Sequence, residues 1–575
     1  MSRHIVVDPI SRIEGQLRIE AVLDDTGVIK AAYSAGTMFR GIELIMRGRD
    51  PRDAGLLAMR ICGVCTGVHY WTSNRAVENA FGVRVPKNAR LVRNLIAASQ
   101  FVHDHPVHFY QLHALDFVDI VAALKANPKK AVRVAYRYSD QPYNASEGTY
   151  RAVQEKLQKL VTQGSLGIFG NGYWGNPSYQ LTPEENVVAV SHYLDALAVQ
   201  RKAAQLMAVL GGKNPHPQSI VVGGVTCVED IQNPARLAQF GQYLREVTQF
   251  VKGAYLPDLL MAGKAYAKEA LAGVGAGLRS YLAYGDFPQD DTSPVGANTL
   301  FPAGVVLNGD LSKVHTFDQM KIREDVTHSW YEGDAALHPY EGVTQPNYTG
   351  LDRRLDGIAY LKTREKYSWL KAPTYDDRRI EVGPLARLLV GYASGDKTIR
   401  RHVEAVLTAG GFPASVLFST IGRTAARCIE TLIIAEAMAG WLEELQRNTA
   451  AGDLDTWTKF DFDKVSKDAE GYALSEAPRG ALGHWVRIKD GKIENYQCVV
   501  PTTWNAGPRD GKGRPGAYEA ALVGVKLAKP DQPLEILRTI HSFDPCLACA
   551  VHVVDARGRE LGSYEVVPAG GVRQV

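Results

Sequence analysis

The N-terminal residues show a period-two pattern of polar and apolar side chains. Residues 16–20 (Gln-Leu-Arg-Ile-Glu) alternate, residues 25–27 (Asp-Thr-Gly) favour a turn, and residues 28–33 can form a returning segment. Alternation of this kind is typical of a half-buried strand. The sequence therefore predicts a strand pair here. It predicts a second hairpin from 484–489 and 492–500, because Asp490-Gly491 between them is a strong turn signal.

Most of the remaining chain predicts helices over a loop-rich middle. A helix is expected over 71–81 and ends at Gly82; residues 88–123 are mostly helical, with a kink at Pro106 because proline lacks the N–H that a helix requires. Further helices are predicted near 183–210, 233–270, 386–407 and 420–447. Residues 285–385, rich in Gly, Pro, Asp and Tyr, predict loops with short strands. We expect an α+β fold: one large unit with a long-helix bundle core and small antiparallel sheets at its periphery.

Charge and composition narrow the function classes. The chain has 575 residues, of which 45% are hydrophobic, and its net charge is +3 from 65 basic and 62 acidic residues. No long block of like charge occurs, so nucleic acid is not an expected partner. No apolar run approaches the ~20 residues that cross a bilayer, and the start lacks the pattern of a signal peptide. We therefore expect a chain that neither inserts into a membrane nor carries its own export signal.

Four of the seven cysteines form two C-x-x-C pairs, and each pair is followed by a histidine. The pairs are Cys62 and Cys65, with His69 beyond them, and Cys546 and Cys549, with His552 beyond them. One such pair is weakly specific, because zinc sites, dithiol redox sites and chance all produce it. Two pairs with histidines indicate a metal site, and four thiolates favour soft or borderline metals. A structural zinc site and an iron–sulfur cluster stay open as alternatives at this point.

The position of the two pairs constrains the fold. Zinc ribbons and fingers usually join cysteine pairs separated by tens of residues at most. Here the pairs lie near opposite ends of the chain. If their thiolates meet, the N- and C-terminal motifs must converge on one buried metal site.

The motifs RICGVCTGVH (60–69) and DPCLACAVH (544–552) resemble those of the large subunit of nickel–iron hydrogenases. The resemblance covers nearly the whole chain, and the runs FGNGYWG (169–175) and HSFDPCLACAVHVVDA (541–556) look most like the membrane-associated respiratory uptake branch. Further matching runs are DPISRIEG (8–15), FRGIE (39–43), HDHPVHFYQLHALD (103–116), EVGPLA (381–386), EAPRGALGHW (476–485) and VVPTTWNAGPR (499–509).

The resemblance implies a nickel–iron centre whose iron also carries carbon monoxide and cyanide. By position, Cys62 and Cys546 would be terminal nickel ligands, and Cys65 and Cys549 would bridge nickel and iron. The residues implied to line the diatomic ligands are Pro478, Val500, Pro501 and Thr502.

Four charged residues have implied catalytic roles. Glu14 would accept the proton from the thiolate of Cys546, since a thiolate protonated by heterolysis needs a neighbouring base. Arg479 would stand over the open metal position and stabilise charge separation, oriented by Asp104 and Asp544. Taken alone, Glu14 on a strand would be expected on a solvated face, and Arg479 in a surface ion pair.

A second metal site is implied away from the thiolates. Glu43, His552 and the backbone carbonyl of Cys498 would hold a magnesium-type ion, and iron or zinc is the alternative because histidine is a less usual magnesium ligand. His69 is expected to form a hydrogen bond to a thiolate rather than bind metal.

Redox chemistry at the implied nickel–iron centre would release electrons, and this chain has no second redox site to carry them away. The remaining cysteines, Cys227, Cys428 and Cys498, are isolated and cannot form the four-thiolate set of an iron–sulfur cluster. The resemblance implies a small subunit that bears such clusters, in a heterodimer or a dimer of heterodimers. It also implies that this partner carries a twin-arginine export signal to the periplasmic side of the membrane, where a cytochrome b or quinone-linked anchor would receive the electrons.

The implied activity is reversible heterolysis of dihydrogen to protons and electrons, with uptake favoured. Residues 1–552 would be the catalytic unit. Residues 553–575 would be a maturation peptide, which a dedicated endopeptidase removes after His552 once nickel-insertion factors have acted. Two alternatives remain: a quinone-coupled relative that has lost the cysteines, which the presence of all four disfavours, and a zinc-binding structural protein.

Overall fold

Long helices form the centre of the molecule. The computed structural model describes residues 3–164, 166–170, 172–290, 298–353 and 358–547. Its α-helices are Ile42–Met46, Ala54–Ala58, Val68–Phe81, Lys87–Val107, Ile120–Ala123, Pro128–Tyr138, Glu147–Thr162, Pro183–Gly211, Val228–Gln232, Pro234–Phe250, Leu256–Ala265, Ala267–Leu271, Pro384–Ser394, Lys397–Gly410, Thr420–Ala450, Pro501–Ala506, Ala517–Leu522 and Leu534–His541. Most of the residues buried in the largest apolar core belong to the long helices of this set.

Small antiparallel sheets surround this core. Three-stranded sheets are formed by Arg3–Val7, Leu17–Leu23 and Ile29–Gly36, by Ala336–Leu337, Ile322–Asp325 and Ala372–Tyr375, and by Ala469–Ala477, Gly480–Lys489 and Lys492–Val499. Two-stranded pairs are Ile220–Val221 with Gly224–Val225, Tyr281–Ala283 with Gly304–Val306, Asp286–Pro288 with Thr299–Phe301, and Asp352–Arg353 with Ala359–Tyr360. The predicted α+β architecture is confirmed.

Both predicted hairpins are present. The N-terminal pair forms between Leu17–Leu23 and Ile29–Gly36. The second forms between Gly480–Lys489 and Lys492–Val499, and both Asp490 and Gly491 have positive φ, as the tight hairpin turn requires.

The predicted helix near 386–407 is instead two helices. Gly395 ends the first with φ 84°, a left-handed conformation that favours glycine, and the side chain of Asp396 caps the second by accepting from the Ile399 N–H. Pro106 lies inside the helix Lys87–Val107, and the chain then widens into a π-helical turn over His108–His113. The expected kink at Pro106 therefore does not end the helical segment, which continues as the π-helical turn.

The two ends of the described chain meet in the interior. Glu14 and Cys546 form a parallel β-bridge, and the Leu547 N–H donates to the Glu14 carbonyl at 2.8 Å. Cys62 and Cys65 belong to the same apolar core as Cys546. Among the described residues, none of the helices is long and apolar enough to span a bilayer.

Candidate metal centre

Three cysteine thiols meet in a buried cluster. Cys62 and Cys65 lie in the turn before the helix Val68–Phe81, and their sulfurs and that of Cys546 all lie within 4.8 Å of one another. The Cys62 and Cys546 sulfurs are 3.4 Å apart although 484 residues separate them. The backbone N–H groups of Val64 and Cys65 donate to the Cys62 sulfur at 3.2 and 3.4 Å. These donors would stabilise a thiolate at Cys62.

The carboxylate of Glu14 accepts a hydrogen bond from the third thiol. Cys546 Sγ lies 3.2 Å from Glu14 Oε2, and the Cys546 N–H donates to Thr502 Oγ1 at 3.1 Å. The parallel bridge places Glu14 directly beside Cys546. The arrangement gives the sulfur a proton acceptor at hydrogen-bond distance.

Arg479 is fixed between two carboxylates beside the thiols. It lies in the turn that joins Ala469–Ala477 to Gly480–Lys489; Nη1 is 3.0 Å from Asp104 Oδ2, and Nη2 is 3.1 Å from Asp544 Oδ1. Burial alone would lower the pKa of Arg479, but the charges of Asp544, Cys546, Asp104 and Cys65 raise it well above its usual value. A permanently charged guanidinium therefore faces the thiols.

The carboxylates that hold Arg479 are themselves buried. Burial raises the pKa of Asp544, and the charges of Arg479 and Arg427 oppose that rise. Asp104, on the helix Lys87–Val107, also accepts from His103 at 2.9 Å and from Gln100 at 3.4 Å. A buried arginine needs partners of this kind to remain charged.

A small cavity of about 10 Å³ lies between the thiols and Arg479. Cys65, Cys546 and Arg479 border it, together with the predicted lining residues Val500, Pro501 and Thr502. Pro478 does not line this cavity. Its carbonyl instead accepts from Arg387 at 3.2 Å, which fixes the turn that carries Arg479.

His69 lines this cavity. It is also the first member of a buried row of hydrogen-bonded side chains. His69 Nδ1 is 3.0 Å from His484 Nε2, and His484 Nδ1 is 2.7 Å from the Tyr496 hydroxyl, which donates to Ser73. Burial lowers the pKa of His69 to about 4, so its imidazole is neutral. His69 Nε2 has no hydrogen-bond partner among the described residues, so the predicted hydrogen bond from His69 to a thiolate is not formed in this structure.

Glu43 lies beside Cys498 in a separate cavity of about 20 Å³. Glu43 Oε1 accepts from the Cys498 N–H at 2.9 Å, and Oε2 accepts from the Thr344 hydroxyl. Two of the residues predicted to form a second metal site are therefore adjacent.

Polar residues that the sequence did not single out complete the lining of this second cavity. Lys371 Nζ is 3.0 Å from Glu324 Oε2 and 2.7 Å from Gln497 Oε1. Glu324 Oε1 is buried and has no hydrogen-bond partner among the described residues, and burial raises the pKa of Glu324 to about 6. An unpartnered buried carboxylate oxygen at a cavity is the kind of group that a cation would satisfy.

Cys549 and His552 lie outside the described residues. The fourth thiol and the histidine of the second site therefore stay predictions. The three described thiols are free of disulfides, buried and mutually close, as the ligands of a soft or borderline metal would be.

The chain matches protein families along almost its whole length. The family described as nickel-dependent hydrogenase matches residues 40–552, and a short family described as HoxL-like matches residues 4–35. The two matched ranges contain the cysteine pairs, Glu14 and Arg479.

Known proteins are similar over the same length. The quinone-reactive Ni/Fe-hydrogenase large chain of Wolinella succinogenes is 46% identical over 576 residues, which cover 99% of each chain. The uptake hydrogenase large subunit of Rhizobium leguminosarum bv. viciae is 46% identical over 98% of this chain and 97% of that one. Among solved structures, the reduced Ni-Fe-Se hydrogenase of D. vulgaris Hildenborough has a TM-score of 0.76 at 34% identity, covering 96% of this chain and 100% of that chain.

Proposed function

Because this chain belongs to the nickel-dependent hydrogenase family and is the large subunit of a nickel–iron hydrogenase, we propose that Cys62, Cys65, Cys546 and Cys549 hold its nickel–iron centre. The observation that carries this proposal is the meeting of three thiols from opposite ends of the chain beside one carboxylate and one guanidinium. When bound, the centre supplies the redox-active, Lewis-acidic position at which dihydrogen is split. The iron would carry carbon monoxide and cyanide.

Glu14 is proposed to receive the proton that heterolysis places on Cys546. The sulfur and the carboxylate oxygen are 3.2 Å apart, within the range for direct proton transfer. No rearrangement of the backbone is needed, because the β-bridge already places the two residues side by side.

Arg479 is proposed to stabilise the charge that develops as dihydrogen separates. Its guanidinium is held at both ends by Asp104 and Asp544, so it costs little reorganisation during the reaction. Val500, Pro501 and Thr502 would enclose the diatomic ligands of the iron, with Pro478 fixing the adjoining turn.

We propose that the second cavity holds magnesium, or iron, between Glu43, the Cys498 carbonyl and His552. Glu324 adds a buried carboxylate there, and Lys371 offsets part of the negative charge. The ion would join the strand Lys492–Val499 to the chain segment that follows Cys546.

The direction of the reaction and its partners complete the proposal. We propose that the enzyme oxidises dihydrogen in the uptake direction and passes the electrons to an iron–sulfur small subunit in a heterodimer. A quinone-linked cytochrome b would accept them at the membrane, on the periplasmic side, after twin-arginine export with the small subunit. The similarity to a quinone-reactive and an uptake hydrogenase supports this arrangement.

The test is metal analysis of the heterodimer with matched cysteine variants. The wild type is expected to contain nickel and iron and to show infrared bands of metal-bound carbon monoxide and cyanide. Cys546→Ser should lose nickel and hydrogen-dependent dye reduction, whereas Cys227→Ser, at an isolated buried cysteine, should retain both. Zinc alone in the wild type, or full nickel in Cys546→Ser, would contradict the proposal.

A further inference from the structure

The contact between Glu14 and Cys546 is held by two chain segments with unusual backbone. Arg12 has φ 56° and Asp544 has φ 58°, and each precedes its member of the pair by two residues. The left-handed region is costly for residues other than glycine and persists only where the surrounding structure fixes it. Asp544 is fixed in part by its ion pair with Arg479.

Asp116 provides the anchor for Arg12. The Arg12 guanidinium donates to Asp116 Oδ1 and to the Leu112 carbonyl, each at 2.5 Å. The Asp116 side chain is fully buried. Burial would raise the pKa of Asp116, but the charges of Arg12 and His541 lower it well below its usual range. Asp116 is therefore a charged acceptor that fixes the segment immediately before Glu14.

The same carboxylate also anchors the segment before Cys546. His541 Nδ1 lies 2.6 Å from Asp116 Oδ2, and His541 Nε2 lies 2.8 Å from the Ser11 carbonyl. His541 is the last residue of the helix Leu534–His541, which leads to Cys546. One buried carboxylate thus holds both chain segments of the Glu14–Cys546 bridge, the first through Arg12 and the second through His541.

We propose that Asp116 is a positioning residue that sets the Glu14 carboxylate against the Cys546 sulfur. The proposal rests on the proposed role of Glu14 as proton acceptor. Asp116 acts through Arg12, His541 and the Ser11 carbonyl. A carboxylate displaced by 1 Å from the sulfur would leave direct hydrogen-bond range, and displacements of that size can lower rates by about 100-fold.

A metal ion at this cluster is the competing interpretation. The ligand atoms of His113, Asp116 and His541 do lie within 4.8 Å of one another. However, His113 already bonds Asp116 at 3.0 Å and Thr424 at 3.1 Å, and the Arg12 guanidinium lies against the carboxylate. The adjacent positive charge disfavours a cation, so the cluster is a hydrogen-bond anchor.

The experiment compares three variants of the assembled heterodimer. Asp116→Asn keeps the size of the side chain and removes its charge, and Glu14→Gln removes the proton acceptor. Asp258→Asn is the matched control, because Asp258 is equally buried and accepts from His192 at 2.8 Å and from Tyr110 at 2.8 Å, in a separate network. Nickel and iron content, the infrared bands, kcat, KM for dihydrogen and the solvent deuterium isotope effect are measured for each.

Asp116→Asn is expected to keep its metals and infrared bands and to lose about tenfold or more in kcat without a rise in KM. Its solvent isotope effect should increase, because proton transfer from Cys546 becomes slower. Asp258→Asn should match the wild type in kcat and isotope effect. A wild-type kcat and isotope effect in Asp116→Asn would overturn the positioning role.

Arg12→Gly separates positioning from folding. Glycine adopts φ 56° without strain, so the backbone is tolerated while both side-chain anchors are lost. If Asp116→Asn fails to take up metal, Arg12→Gly decides: a reduced kcat with a raised isotope effect supports the proposal, and wild-type values overturn it. Wild-type kinetics in Glu14→Gln would instead refute the proposed proton acceptor, which distinguishes the two failures.

Discussion

At the scale of single residues, the proposed role of Arg479 depends on the shape of its side chain as well as on its charge. Its two ends are held by carboxylates from different parts of the chain, Asp104 and Asp544, and the guanidinium spans the distance between them. Lysine carries the same charge but has a single ammonium that cannot form both contacts in one plane. The position and orientation of the positive charge therefore depend on the arginine guanidinium.

Arg479→Lys is expected to lower kcat/KM for dihydrogen by about 100-fold, as loss of one preorganised stabilising group does in other enzymes. Hydrogen-dependent dye reduction by the purified heterodimer measures this. Arg487→Lys is the control, because Arg487 lies on the same hairpin and pairs with exposed Glu470. Equal kcat/KM in the two variants would show that charge alone suffices at position 479.

Motif spacing indicated which residues of the site lie together, but not which residues hold them in place. Cys62, Cys546 and Glu14 are brought together as expected, since short motifs carry them. Lys371 lies in none of these motifs, and Asp116, although it ends the run 103–116, was given no role. A polar residue in a helical or loop segment is expected to be exposed to solvent. Its burial depends on how the whole chain packs, which the local sequence does not indicate.

At the scale of elements, the helix Ala517–Leu522 is attached to the strand Ile29–Gly36 through one carboxyl group. Glu519 Oε1 accepts from the Ser34 N–H at 3.1 Å and from the Tyr367 hydroxyl at 2.9 Å. Burial raises the pKa of Glu519 to about 7. The hydrogen bonds from Ser34 and Tyr367 favour the ionised carboxylate, but the cost of burying its charge is larger, so the folded chain favours protonated Glu519.

The raised pKa of Glu519 predicts that the stability of the folded chain depends on pH. The pKa of Glu519 is raised from 4.5 to about 7 in the folded chain. The stability that protonated Glu519 contributes is therefore complete below pH 4.5 and is lost as pH rises towards 7. The stability of the wild type relative to Glu519→Gln should fall by roughly 3 kcal/mol over that range. Thermal unfolding at pH 5 and pH 8 measures it. Glu365→Gln, at an exposed position, is the control variant. An equal difference in stability between Glu519→Gln and the wild type at both pH values would contradict the prediction.

The strand Ala469–Ala477 was not predicted, and its surroundings explain why. Its second half is buried on both faces, so the sequence lacks the alternation that marks a half-exposed strand. The helix Val68–Phe81 packs so closely on it that a Cβ at Gly471 would lie 2.3 Å from the Ala76 carbonyl oxygen. The hairpin partner, Gly480–Lys489, was recognised only from its turn at Asp490-Gly491.

At the scale of the whole molecule, we propose that the chain is completed by removal of residues 553–575. Cys546 lies only a few residues before this segment in the sequence, so cleavage would create a C-terminus close in sequence to a proposed metal ligand. Intact mass of the active large subunit is expected to correspond to residues 1–552. Val553→Pro should block cleavage, because proline is a poor residue at a scissile bond, and leave a full-length inactive chain. Full activity in a full-length chain would contradict the proposal.

The long separation between the two halves of the site also has a consequence during synthesis. Cys62 leaves the ribosome 484 residues before Cys546, which at 5–20 residues per second is roughly 25 to 100 s. Throughout that interval the thiols of Cys62 and Cys65 lack the segment that carries Cys546. A site that needs both segments therefore cannot be complete until Cys546 has been synthesised.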